Sequence, residues 1–98
     1  MRRDTAAGRE RKREAQSINR HVGRQVRQCR LRIGASQERL AAHLGVSFQQ
    51  VQKYENGVNR ISAGRLMQIA DFLGVRVEDF FEGVTLRGRL TDDTATGR

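Results

Sequence analysis

Residues 36–57, SQERLAAHLGVSFQQVQKYENG, restrict what this chain can fold into more than any other stretch. Ser36 is a side-chain N-cap for a first short helix, and Glu38 puts an anion in its first turn, where unpaired N–H groups favour negative charge. Leu40, Ala41 and Leu44 then form one apolar face. Gly45 supplies the left-handed turn that a residue bearing a Cβ resists. Ser47 opens a second helix, with Gln50 three residues on at the spacing of a capping box. On this second helix Val51 and Tyr54 point one way, while Gln49, Gln52 and Lys53 point the other. Asn56 and Gly57 end it.

The flanking sequence supplies the rest of a small core. Ile18, Val22, Val26, Cys29 and Ile33 recur at helical spacing, which predicts a first helix over 19–33 ended by Gly34. Leu31 falls off this stripe, and Arg20, Arg24, Arg27 and Arg32 coat the other faces. Ser62 caps a further helix in which Leu66, Ile69, Ala70 and Leu73 make the buried stripe, stopped by Gly74. A last short helix over 77–82 offers Val77, Phe80 and Phe81 to the core. Residues 1–17 show no apolar periodicity and an excess of arginine, so they read as a basic arm, disordered or a frayed helix. Beyond Gly83 the pattern gives way to a polar, disordered tail over 83–98. The expected class is all-α, five short helices in one domain over 18–82.

Charge decides the class of partner. With 19 Lys+Arg against 11 Asp+Glu the net charge is +8, and only Lys12 and Lys53 are lysines. A strongly basic small domain suits a polyanion, and arginine gives directional contacts to phosphate. The single cysteine, Cys29, sits on the apolar stripe as a small core residue and favours a reducing, cytoplasmic setting. No apolar run is long enough for a membrane span or a signal segment. His21 and His43 lack partners at metal-ligand or catalytic spacing, and no phosphate-binding glycine loop or nucleophile elbow occurs. Neither an enzyme nor a resident metal or cofactor is expected.

The 36–57 stretch also has a characteristic spacing. Counted from Gln37 as the first position, Ala41 stands fifth, Gly45 ninth and Val51 fifteenth. Two helices crossing steeply need a small residue at contact, a glycine at the turn and a buried aliphatic on the second helix, so this is the skeleton of a helix-turn-helix. With the VQKYENG segment and LMQIADFLGV followed by VEDFF, the chain resembles the lambda-repressor-like (Cro/C1, or XRE) helix-turn-helix regulators over about residues 19–82.

The resemblance implies a compact five-helix bundle whose third helix lies in the major groove of double-stranded DNA. It places base reading at Phe48, Gln49 and Lys53, and phosphate anchoring at Gln37, at Gln50 or Gln52, and at Asn59 and Arg60. The chemistry agrees independently: Gln49 can pair bidentately with adenine, and Lys53 can donate to guanine O6 and N7. Phe48, where relatives often carry an amide, can only meet a thymine methyl; its alternative is packing over Leu44. Gln50 has the alternative of closing the capping box. The resemblance further implies an ion pair between Arg30 and Glu55, and Ile61 stands where the family often has proline. The implied function is a homodimeric transcriptional regulator, a repressor of bacterial or phage type, in the cytoplasm at the nucleoid. The alternative is an antitoxin-type module with a small protein partner, for which Val84, Leu86 and Leu90 would be the tail's apolar anchors.

Overall fold

The computed structural model describes residues 5–86, and among them the only regular structure is helix, without a strand. Four α-helices, α1 (Ala6–Arg32), α2 (Gln37–Leu44), α3 (Phe48–Glu55) and α4 (Ala63–Leu73), precede a 3-10 turn at Val77–Phe81. Each α-helix starts on a hydroxyl. Thr5, Ser36, Ser47 and Ser62 accept from the backbone N–H three residues on at 2.9, 3.0, 3.1 and 3.2 Å. A cap of this kind contributes about 1 kcal/mol by satisfying an otherwise orphaned donor. Between α2 and α3, Gly45 takes φ 74°, in the left-handed region that glycine enters without Cβ strain.

The core draws one fully buried side chain from each element: Val26 from α1, Leu40 from α2, Val51 from α3, Ile69 from α4 and Phe80 from the 3-10 turn. No two neighbouring elements could hold this apolar surface alone, so the motif depends on the whole bundle. Cys29 is buried among them as a free thiol. Ile61 packs partly buried against the same cluster, so an apolar side chain rather than a proline ring anchors the loop leading to α4.

Three expectations need correction. The first helix begins at Ala6, not near residue 19, so the basic stretch, expected as disorder or a frayed helix, is helical from Ala6 on. Its residues are mostly Ala, Arg, Glu, Lys and Gln, strong helix formers, and the docked segment supplies the costly nucleus from which helix propagates outward. An apolar stripe reports packing, and α1 continues past the point where packing stops. Second, the fifth helix is a single 3-10 segment in which residues three apart eclipse, so Val77 and Phe80 turn inward while Phe81 is left 41% exposed. Third, Ile33 is the C-cap of α1 and is 49% exposed, because the chain unwinds at Gly34 and Ala35 takes the buried place instead. Residues 1–4 and the tail from 87 on, Leu90 included, lie outside the described part.

Candidate nucleic-acid interface

Seen along its axis, α3 divides into a docked side and a free one. At about 100° per residue, Gln49 and Lys53 stand opposite Val51, with Gln50 and Gln52 on the two flanks. Burial follows this division: Val51 and Tyr54 are buried, Gln49, Gln52 and Lys53 are exposed, and Gln50 is half-buried. Phe48, the first residue of α3, is 36% exposed. Ser47 accepts from the Gln50 backbone N–H, while the return bond from the Gln50 side chain that would close a capping box is absent among the described residues.

Each flank opens on a polar groove. On the Gln52 side a hollow of about 380 Å³ is lined by Arg27, Gln37, Gln52, Glu55 and Asn56. On the Gln50 side a larger one of about 720 Å³ lies between α1 and the loop after α3, and Asn59 and Arg60 line it. Asn59 donates its backbone N–H to the Lys53 carbonyl at 3.2 Å, and Asn56 Oδ1 accepts from Val58 N at 3.2 Å, so the loop is tied back to the end of α3. Gln49 and Lys53 therefore share one face, with the residues expected to hold phosphates on either side of it, while Phe48 stands at the start of the helix on the Gln52 flank, nearer the docked side.

Behind α3 lies a buried ionic junction. Arg30 of α1 donates from Nε to Glu55 Oε2 at 2.6 Å and from Nη2 to Oε1 at 2.9 Å, with its remaining Nη1 on the Ala35 carbonyl at 2.8 Å. The two side chains are only 6% and 3% exposed. The hydrogen bond to Glu55, reinforced by its charge, holds the Arg30 pKa above its ordinary value against the opposing effect of burial, so the guanidinium stays charged. Gln37 Nε2 donates to the same carboxylate at 3.0 Å. Gln37, expected at a phosphate, is thereby also a structural link from the start of α2 to the end of α3. A fork-on-carboxylate pair of this kind fixes orientation as well as distance, and here it sets how α3 leaves the bundle.

Other positioning contacts escaped sequence reasoning. Gly23 lets α1 press against the last turn of α3: a methyl there would overlap the Tyr54 carbonyl oxygen and stand 2.8 Å from that of Glu55. Arg65 of α4 donates to the Leu44 carbonyl at 2.7 Å, bracing the end of α2 just before the turn. His21 Nε2 lies 2.7 Å from the Glu82 carbonyl oxygen and closes the 3-10 turn onto α1. His43 stacks obliquely on Phe72, with ring centroids 4.9 Å apart, at the surface.

Among the described residues there is no group of three potential metal ligands, and no helix long and apolar enough to cross a membrane. Comparison with known proteins fits this geometry. A helix-turn-helix family model matches residues 26–80, which spans every contact described from Val26 to Phe80. The chain is 48% identical over 73 residues, 74% of its length, to an uncharacterized HTH-type transcriptional regulator of Sinorhizobium medicae. It is 55% identical over 64 residues, 65% of its length, to a transcriptional regulator in the ATPase CF(0) region of Rhodospirillum rubrum. The match covers 52% of the first relative and 59% of the second, so the chain spans little more than half the length of these curated relatives. Among solved structures, the clp gene regulator ClgR of C. glutamicum superposes with a TM-score of 0.63 at 25% identity, over 65% of this chain and 83% of that one. With the turn at Gly45, the docked side of α3 and this match over more than half its residues, the chain belongs to the Cro/C1-type (XRE) helix-turn-helix family of transcriptional regulators.

Proposed function

We propose that this protein binds double-stranded DNA sequence-specifically, with α3 in the major groove, and acts as a transcriptional repressor in the form of a homodimer. The observation that carries the reading is the free face of α3, where Gln49 and Lys53 are both exposed and unencumbered by apolar neighbours on their own face, between two polar grooves. A major groove about 12 Å wide admits one helix and brings a phosphate strand along each side of it. Gln49 would pair with adenine, Lys53 with guanine, and Phe48 would meet a thymine methyl. Arg60 and Asn59 would hold one strand, and Gln37 and Gln52 the other. Gln50, on the flank with the larger groove, belongs with the phosphate contacts. The small core favours a dimer, since a bundle of this size has modest stability alone. A two-fold dimer would read half-sites about 10 bp apart.

Selection from a random duplex library supplies the operator, and two variants then separate the roles. Lys53→Ala should abolish preference at one base pair per half-site, costing about 1–3 kcal/mol on the selected sequence and much less on one already mutated at that pair. Arg60→Ala should weaken selected and unrelated duplexes alike, and make the slope of log K against log salt shallower by about 0.9. Equal losses of base preference in both variants would sink the division of roles. Failure to enrich any sequence would sink the reading itself.

A further inference from the structure

The larger groove has a wall that the family resemblance does not supply. Gln16, Asn19 and Arg20 of α1 form it, facing Gln50, Asn59 and Arg60 across about 720 Å³. Arg20 is held there by packing: a Cβ at Gly57, which has φ 78°, would lie 2.5 Å from Arg20 Cγ and 2.9 Å from its Cα. The stem of Arg20 thus lies against the loop's glycine, and the exposed residue lines the groove. A polar cleft with an arginine on each bank, beside a helix that presents amides and a lysine, matches the chemistry of a phosphodiester strand. Along α1, Lys12 and Arg9 fall at helical spacing on the same side as Arg20.

We propose that Arg20, supported by Gln16 and Asn19, forms with Arg60 a two-sided clamp on one phosphate strand of duplex DNA, so that the lengthened α1 adds a sequence-independent contact beside the half-site. This rests on the reading of α3 as the base-reading helix, and the test keeps the two apart. Arg20→Met retains the stem packed on Gly57 and removes the charge; Arg20→Lys retains charge; Arg11→Met removes an equal charge from the opposite side of α1. Binding of the full chain to its selected duplex is measured across a salt series. Arg20→Met is expected to bind about five- to ten-fold more weakly at about 0.1 M salt, with the slope shallower by about 0.9 and the selected sequence unchanged. Arg20→Lys should keep most of the slope, and Arg11→Met should stay close to wild type. A neutral methylphosphonate at the clamped phosphate should weaken the wild type more than Arg20→Met, in which Arg60 alone still faces that strand. Wild-type affinity and slope in Arg20→Met would overturn the clamp while the function stands, and so would an equal loss in Arg11→Met, which would reduce the effect to net charge. A wild-type chain that selects no duplex would overturn the function and the clamp together.

Discussion

Glu55→Ala is expected to lower the melting temperature by more than about 10 °C, the largest loss for any single side chain outside the apolar core. The substitution leaves the Arg30 guanidinium buried with two of its three described acceptor contacts gone, and strands the Gln37 amide beside it. Removing one partner of a buried pair costs about 3–5 kcal/mol, because the remaining charge has neither water nor a counter-ion. In a domain of this size each kcal/mol moves Tm by about 4–8 °C. The pair's own worth is a separate quantity. Replacing both groups by apolar ones, as in Arg30→Met with Glu55→Leu, should recover much of the loss, since no charge is then left unpaired. Thermal melting of the single and double variants checks both statements. An unchanged Tm in Glu55→Ala would show that the junction does not hold α3.

Gly23→Ala should also be strongly destabilising, although intrinsic preference predicts the reverse. In a helix interior, alanine is favoured over glycine by about 1 kcal/mol. Here the added methyl would meet the Tyr54 and Glu55 carbonyl oxygens, and these are backbone atoms that move only if the end of α3 moves. Overpacking of this kind costs about 1–3 kcal/mol and more where backbone must shift, so the contact outweighs the propensity. Gly64→Ala is the matched control: it lies in the first turn of α4 with nothing within 4 Å of the new Cβ, and should be neutral or stabilising. Denaturant unfolding of the two variants should therefore give opposite signs. Because the displaced segment ends α3, Gly23→Ala should weaken DNA binding beyond its effect on stability.

These two positions also show what could and could not be read from the sequence. The turn at Gly45, the hydroxyl caps at Ser36, Ser47 and Ser62, and the buried stripe of α4 rest on local chemistry, and local chemistry is visible in a string of letters. The separation of Val51 and Tyr54 from Gln49 and Lys53 follows from helical periodicity alone. Gly23 was not legible, because nothing in its neighbours announces that another helix's carbonyls will lie against it. Arg20 was grouped with the solvated arginines for the same reason: only the fold brings Gly57 under its stem. Apolar periodicity places the start of α1 too late, because it marks where a helix is packed, whereas Thr5 and the run of helix formers after it mark where the helix begins. Phe81 and Ile33 carried apolar side chains into the wrong environment for a geometric reason, a 3-10 turn in one case and an unwinding helix end in the other.

If α3 is the reading helix, its free face is the surface that meets DNA. Backbone amide shifts of the isotope-labelled protein, followed while the selected duplex is added, address this residue by residue. The largest changes are expected at Gln49 and Lys53, with smaller ones at Gln37, Gln52, Asn59, Arg60 and Arg20, and little change on the exposed side of α4 around Met67 and Gln68. Changes concentrated on α4 or on the 3-10 turn, with Gln49 and Lys53 unmoved, would contradict α3 as the reading helix.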